Sequence, residues 1–276
     1  MSNYQAKGFL TFIIVFSILS ANAQTKKAKH KGEFYFSWGY NTEWYTSSNL
    51  KVSQPELGNN YTIHGVVAHD HRGWDEGLFH KAISIPQYNY RLGYFFNDKR
   101  NLGVEINFDH TKYIITDGQM VKVKGTFNGK PAEYNVVFSS ANGFYYFLNN
   151  GANFLLFNIV KRWEWYASKT QKVKIDALGK AGIGPLIPHV QNALFSKENE
   201  AGFQLGGWNT GLEGDIRATF LRHVYLEFAA KLDYARYSNL KVYKGTLHQA
   251  FGTAEVVLNL GVAFGKGTRA KSRKIK

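Results

Sequence analysis

Residues 249–264 read QAFGTAEVVLNLGVAF, and every second position in this stretch is apolar or glycine. The even positions run from Ala250 to Phe264 without a charge, whereas Glu255 and Asn259 lie at odd positions. A period of two is typical of a β-strand with one dry face and one polar face. Soluble strands average about 5–6 residues, whereas a tilted strand needs about 9–11 residues to cross the hydrocarbon of a bilayer. The length of this stretch therefore favours a membrane-spanning strand.

The same alternation recurs in seven other stretches of the chain. They are 33–46, 84–97, 101–116, 152–166, 171–186, 205–220 and 223–238. The connections after the second, fourth and sixth stretches are short, whereas 47–83, 117–151 and 187–204 are long. Short turns at one rim and long loops at the other are typical of outer-membrane barrels. The pattern predicts an all-β fold over residues 33–264, an antiparallel transmembrane β-barrel of eight strands with long extracellular loops.

Residues 119–138 predict an additional hairpin, because two alternating arms flank the pair Asn128-Gly129, which favours a two-residue turn. Lys122 and Lys124 make the first arm polar, which favours a hairpin outside the membrane. If the hairpin spans the bilayer instead, the barrel has ten strands.

The alternative fold is a soluble, secreted β-sandwich or lipocalin-like barrel with its apolar faces inside. The apolar faces of this chain are rich in Trp and Tyr, as in the membrane-facing walls of barrels, whose aromatic residues form girdles at the interfaces. The sequence predicts such girdles near the strand ends. The residues assigned to them are Trp44, Tyr45, Trp163, Trp165, Tyr234 and Tyr237.

The polar faces of the predicted strands carry many charges, and these would point into the barrel. The acidic members are Glu43, Glu105, Asp109, Glu164, Asp176, Glu213, Asp215, Glu227, Asp233 and Glu255. The basic members are Arg91, Arg162, Lys180, Arg217 and Lys231. The interior of an eight-stranded barrel is just wide enough for side chains to fill, and an unpaired buried charge is costly. The sequence therefore predicts a plugged lumen held by ion pairs rather than an open pore.

The first residues have the features of an export signal. Lys7 precedes an apolar run over 9–20, and Ala21-Asn22-Ala23 has the form of a cleavage site. We predict a signal peptide at 1–23 that directs the chain to the outer membrane. The sequence contains no cysteine, so neither a lipid anchor at the cleavage site nor a disulfide is expected.

The positive charge of the chain is concentrated at its two ends. Ten of the 34 Lys and Arg residues lie in 24–32, predicted to be a periplasmic leader, and in 265–276, predicted to be a disordered tail. The body between them is nearly balanced in charge. This distribution argues against a nucleic-acid partner. The partners expected instead are outer-membrane lipids, lipopolysaccharide and the barrel-assembly machinery.

Four segments carry a family resemblance: the signal ending in ANAQ, SIPQYNYRLGYFF at 84–96, NFDHTKYI at 107–114 and LNLGVAF at 258–264. They resemble small outer-membrane β-barrel proteins of Bacteroidota, similar in architecture to OmpX/OmpW-type barrels of Gram-negative bacteria. The resemblance implies outer-membrane insertion and, in most members, no assigned chemistry. Such barrels usually end at a terminal aromatic residue that the assembly machinery reads. Here 12 residues follow Phe264, so that signal would be internal.

The loop 60–80 is rich in His, Asp and Glu, and we name His69 and His71 as candidate metal ligands. Their spacing matches no strong motif, so the alternative is a polar loop or a strand that extends the wall above the membrane. No cofactor is predicted.

Asp109-His110 near the outer end of the third strand raises a second possible function, that of a lipid-modifying enzyme of the lipid A deacylase or acyltransferase type. Adjacent strand residues point to opposite faces, so the two side chains are not expected to face the lumen together. The favoured function is a structural or interaction role, or limited, porin-like passage of small solutes.

Overall fold

The structure, a computed structural model, describes residues 32–71, 87–96 and 100–265. The predicted signal peptide, residues 24–31 of the leader and 266–276 of the tail lie outside this part of the chain. The described residues hold no helix long and apolar enough to cross a membrane.

The described residues form 17 strands in one antiparallel sheet, with two single 3-10 turns at Pro55–Leu57 and Ser140–Asn142. The strands are β1 (Glu33–Tyr45), β2 (Ser48–Gln54), β3 (Asn59–Val66), β4 (Ala68–His69), β5 (Tyr88–Phe95), β6 (Leu102–His110), β7 (Tyr113–Ile115), β8 (Met120–Phe127), β9 (Lys130–Val137), β10 (Tyr145–Leu148), β11 (Phe154–Ala167), β12 (Val173–Leu186), β13 (His189–Leu194), β14 (Lys197–Phe203), β15 (Gly207–Phe220), β16 (Val224–Val242) and β17 (Gly245–Gly265). The prediction of an antiparallel β-barrel is confirmed, although the total number of strands exceeds the predicted number.

Eight of these strands close into a ring. Their order around the ring is β1, β5, β6, β11, β12, β15, β16 and β17, and β17 pairs back onto β1. Closure of a ring leaves no unpaired strand edge, the condition that lipid imposes on a spanning sheet. The ring strands coincide with the eight alternating stretches of the sequence.

The seam between β1 and β17 runs over 13 residue pairs, from Glu33 opposite Gly265 to Tyr45 opposite Thr253. The ring therefore begins and ends at the same rim. The short turns 168–172 and 221–223 lie at that rim too, because each joins two neighbouring ring strands there. We call this the turn rim.

The outer wall of the ring is apolar. Large side chains such as Leu212, Leu232 and Leu258 project outward and are more than half exposed. Their strand neighbours, such as Glu213 and Lys231, point inward and are buried. A period of two places these residue types on opposite faces, so the wall has the inside-out polarity of a membrane barrel.

The described parts of the segments predicted to be long extracellular loops contain strands of their own. β2 pairs with the outer end of β17, β3 pairs with β2, and β8 pairs with β3. A second row of pairs runs β4–β7–β10–β13–β14. The side-chain amides of Asn192 and Asn199 donate to the Lys241 carbonyl at 3.2 and 3.1 Å and link β13 and β14 to β16. We call this strand-built region the cap.

The predicted hairpin is present as β8 and β9, with Asn128 (φ 48°) and Gly129 (φ 76°) at its turn. Both residues adopt the left-handed conformation that such a two-residue turn requires. The hairpin belongs to the cap and not to the ring. Glu133 on β9 makes ion pairs with Lys122 and Lys124 on β8. The hydrogen bonds that both lysines donate to its carboxyl lower the pKa of Glu133.

Candidate functional site: a charged lumen beneath an apolar cap

The interior of the molecule has two compartments of opposite character. Within the ring, most inward side chains are charged or polar, apart from a small buried cluster near the turn rim that includes Tyr35, Phe95 and Tyr225, whereas within the cap they form one large apolar cluster. Leu50, Ile63, Val123 and Phe251 are buried members of the apolar cluster. The compartments meet where the Lys231 ammonium lies 5.9 Å from the centre of the Phe154 ring.

Lys180 on β12 is the centre of the lumen charge network. Its ammonium lies 2.7 Å from Asp215, 2.8 Å from Glu213, 3.1 Å from Glu105 and 3.3 Å from Glu227. The side chains of Lys180 and its four partners are buried, with an exposed fraction of 2% or less. An ammonium has three donors and no acceptor, so this single cation is surrounded by acceptors and holds together carboxylates from three strands, β6, β15 and β16.

Arg91 on β5 extends the network toward the cap. Its guanidinium lies 2.6 Å from Asp109 and 3.2 Å from Glu213. Asp109 is shared in turn with the ammonium of Lys231, which also lies 3.0 Å from Asp233. Glu213 and Asp109 therefore each bridge two cations, and the ion pairs form one continuous chain through the lumen.

Arg217 on β15 ends this chain near the turn rim. Its Nε donates to Glu227 at 2.5 Å. The guanidinium lies 4.3 Å from the Tyr35 ring centre and 4.1 Å from the Tyr225 ring centre. Arg stacks on aromatic faces more readily than Lys because its guanidinium is planar and weakly hydrated. The prediction of lumen residues considered only charged side chains and therefore left out these two tyrosines. Both lie at odd positions, on the polar face of their strands, which places them inside the ring.

At the turn rim, Arg162 pairs with Glu33, and both line a cavity of about 200 Å³ together with Asp176. Glu164 stands directly opposite the inward Asp176 in the β11–β12 register, at the open end of the lumen, where it is exposed and lies 3.6 Å from Lys174. The register shift of β11 comes after it, between Glu164 and Tyr166.

At the upper end of the lumen, Glu43 is buried and accepts a hydrogen bond of 2.6 Å from the Tyr45 hydroxyl. Glu255 lies 3.4 Å from Lys231. Tyr45 and Tyr237, predicted to belong to the aromatic girdles, point inward and pack with Phe251. Their odd positions put them on the lumen face, so the prediction from strand ends alone was wrong for them.

Inward asparagines are a second group of lumen residues that the prediction from charged residues left out. They are Asn41, Asn89, Asn107, Asn158, Asn209 and Asn259. Asn107 accepts from Arg91 at 2.5 Å and Asn158 donates to Glu105 at 3.3 Å. Asn41 likewise donates to Glu43 at 3.3 Å, so these three amides extend the ion-pair network.

Among the described residues, one group of three carboxylates lies close enough to share a metal ion: Glu213, Asp215 and Glu227. The Lys180 ammonium lies within 3.3 Å of all three. A positive charge of this chain therefore already neutralises the position that a metal would take.

The two candidate metal ligands of the sequence lie in the cap. The His69 ring contacts the Asp70 carbonyl oxygen at 2.7 Å, and the His71 ring contacts the Asn149 side chain at 3.3 Å. The other titratable residues of the loop beyond residue 71 lie outside the described part of the chain. A metal site at His69 and His71 stays a prediction.

Asp109 and His110 point to opposite sides of the wall. Asp109 lies inside with Arg91 and Lys231, whereas His110 lies outside, stacked on Tyr88 at 4.6 Å and in contact with Asn153 at 2.8 Å. The two side chains form no acid–base pair.

In the cap, burial raises the pKa of the Tyr113 hydroxyl to about 12. Tyr113 therefore stays protonated at neutral pH. Its hydroxyl accepts from the Gln249 amide at 2.7 Å and lies 3.0 Å from the Ser48 hydroxyl. This neutral polar group separates the ion pairs below from the aliphatic core above.

No family model and no curated protein matches this chain. Solved structures with a similar fold include the outer membrane protein OprG from Pseudomonas aeruginosa (10% identity, 86% of this chain, 98% of that chain, TM-score 0.41). They also include Neisserial surface protein A (9% identity, 84% of this chain, 97% of that chain, TM-score 0.33). A third is Ail, the attachment invasion locus protein of Yersinia pestis (11% identity, 85% of this chain, 99% of that chain, TM-score 0.32). These neighbours are small outer-membrane β-barrel proteins, to which this chain is similar in fold class.

Proposed function

We propose that this chain is a sealed outer-membrane barrel that holds a folded cap at the cell surface, with a structural or interaction role. The observation that supports this proposal is the filling of the interior at both levels. The ion-pair chain from Lys231 to Arg217 occupies the ring, and the apolar cluster occupies the cap.

The apolar outer wall supports the membrane location. Outward residues of the ring include Phe157, Ile159 and Leu260, each more than half exposed. Exposed apolar surface of this extent is unfavourable in water and favourable in hydrocarbon. The predicted signal peptide at 1–23 is consistent with export. Bacteroidota origin stays a prediction from the sequence resemblance.

The filled interior favours this role over solute passage. A passing solute would have to separate Lys180 from its four carboxylates, and removing one partner of a buried pair costs about 3–5 kcal/mol. It would then meet the aliphatic core of the cap, which binds neither ions nor water.

Two measurements test the proposal. Fractionated membranes should contain the protein in the outer membrane, in a form whose gel mobility changes on heating. The purified full chain, reconstituted into planar bilayers beside a known porin as positive control, should give no conductance steps. Recovery as a soluble periplasmic protein would overturn the membrane location. Stable conductance by correctly folded protein would overturn the sealed barrel while leaving the location intact.

A further inference from the structure

The outer surface carries a cavity of about 420 Å³ where the long hairpin of β16 and β17 meets the cap strand β2. Each of the three strands contributes one basic residue to its lining: Arg236 on β16, His248 on β17 and Lys51 on β2. Their strand neighbours Tyr237 and Leu247 are fully buried, so the three basic side chains lie on the opposite, outward face of the sheet. The cavity therefore opens away from the lumen and from the apolar cluster.

The strand register brings the three basic side chains together. His248 is directly opposite Lys51. Arg236 is directly opposite Ala250, which lies two residues from His248 on the same face. In an antiparallel sheet, directly opposite Cβ atoms are about 4.5–5.5 Å apart, and diagonal neighbours at about 7–8 Å are still within reach of long side chains. All three side chains can therefore contact one group held in the cavity.

The positive charges of this cavity are not neutralised within the described part of the chain. The side chains of Lys51, Arg236 and His248 make no hydrogen bond or ion pair there, and the described lining contains no Asp or Glu. By contrast, Lys124 on the same face of the cap pairs with Glu133 at 3.1 Å. Like charges that face each other across strands are destabilising, so the convergence of an ammonium and a guanidinium favours a bound anion.

Aromatic residues on the same strands indicate the height of the cavity. Trp208 and Tyr234 are outward, 40% and 44% exposed, and their ring centres are 5.8 Å apart. Trp and Tyr are enriched where a membrane meets water, at the level of the headgroups. Arg236 is the next outward residue above Tyr234, about 6–7 Å further along the strand toward the cap. In the proposed membrane, the cavity therefore begins among the outer-leaflet headgroups.

Phosphate is the anion that fits this set of donors at this height. The planar guanidinium of Arg236 can donate two parallel hydrogen bonds to a phosphate, and the Lys51 ammonium adds a further charge-assisted donor. The Tyr234 ring provides an apolar surface at the lower edge of the cavity.

We infer that this cavity binds the phosphorylated headgroup of an outer-leaflet lipid, with Arg236 and Lys51 contacting the phosphate and His248 beside them. This inference rests on the proposed membrane location. Phosphate is also available as a free ion, so the shared chemistry is phosphate and the test must separate the two sources.

The test uses the purified full chain in phosphatidylcholine nanodiscs that contain a minor fraction of lipid A, either phosphorylated or dephosphorylated. Native mass spectrometry then counts the lipid A molecules retained by the protein. Wild type should retain the phosphorylated form preferentially. The double variant Lys51→Gln/Arg236→Gln should reduce this retention about tenfold, because the charge-assisted contacts are lost. Arg236→Lys should preserve part of it, since this variant keeps the charge and loses the planar fork.

Lys124→Gln/Lys130→Gln is the matched control, because it removes the same charge from exposed positions of the β8–β9 hairpin. The strand β3 separates this hairpin from β2, so retention should be unchanged. Heat-dependent gel mobility verifies that every variant is folded. Equal retention by the two double variants would overturn the inference.

A second arm titrates the same proteins in detergent with inorganic phosphate. Weak binding or none supports the lipid assignment, whereas binding as tight as that of lipid A overturns it in favour of a free-anion site. Failure of the chain to enter nanodiscs would instead contradict the proposed membrane location, so the two failures are distinguishable.

Discussion

At the scale of single residues, Lys180 is the cation on which the lumen depends most, because four buried carboxylates surround it. We expect Lys180→Met to lower the free energy of unfolding by about 3–5 kcal/mol, the usual effect of leaving buried charges unpaired. Urea titration of the reconstituted protein, followed by tryptophan fluorescence, measures this change. Combining it with Asp215→Asn should restore part of the loss.

Lys174→Met is the control for that experiment. Lys174 pairs with Glu164 at 3.6 Å at the partly exposed turn rim, where ion pairs contribute about 0–1 kcal/mol. Equal losses from Lys174→Met and Lys180→Met would show that the lumen network does not depend on its central cation.

The orientation of the wall is also testable at single residues. Leu232 is 64% exposed on the outward face of β16 and lies midway along its pairing with β15, so Leu232→Arg near the bilayer midplane should cost about 2–4 kcal/mol. Met120→Arg is the matched change in the cap, where Met120 is 69% exposed and water can solvate the new charge. Refolding yield into lipid vesicles should fall for the first variant only; an equal fall would argue against the inferred membrane face.

At the scale of elements, the cap and the ring are stabilised by different interactions and should respond separately. Ile63 on β3 is fully buried in the apolar cluster, so Ile63→Ala should cost the cap about 2–5 kcal/mol. Limited proteolysis should cleave cap segments faster, while the ring keeps its heat-dependent gel mobility. Thr62→Ala, one residue earlier on the other face, should change neither readout. If Ile63→Ala makes the cap sensitive to protease and also abolishes the heat-dependent gel mobility of the ring, then cap and ring unfold as one unit.

The sequence predicted the ring elements well because a strand buried on one face repeats every two residues. In the cap it predicted the β8–β9 hairpin but not the sheet around it, since β2 pairs with β17 and β3 with β8, distant partners that no local period reveals. In the lumen, the alternation of strand faces was enough to place Arg91 and Glu227 inside the ring. The choice of partners was not predictable, because Lys180 on β12 meets Glu105 on β6 and Glu227 on β16 across the lumen, and neither strand is its neighbour in the ring.

At the scale of the whole molecule, the turn rim and the cap lie at opposite ends of the ring, because the short turns join ring strands at one rim and the cap strands are inserted between them at the other. The sequence has no cysteine, so a single introduced thiol reports its own side of the membrane. Asn128→Cys in the exposed hairpin turn should react with an impermeant maleimide added to intact cells. Thr170→Cys in the turn between β11 and β12 should react only after the outer membrane is permeabilised. The reverse pattern would mean that the molecule is inserted upside down.

The long seam between β1 and β17 has a consequence for the speed and order of folding. Its 13 residue pairs join positions as far apart in sequence as Glu33 and Gly265, and contacts between such distant positions form slowly because loop closure must come first. Until the last strand arrives, β1 and β17 each present a row of unsatisfied backbone groups that can pair with another chain. A chain of this kind must therefore be kept from aggregating until the β1–β17 seam has closed. Variants that weaken the seam should lower the folding yield before they lower the stability of the folded barrel.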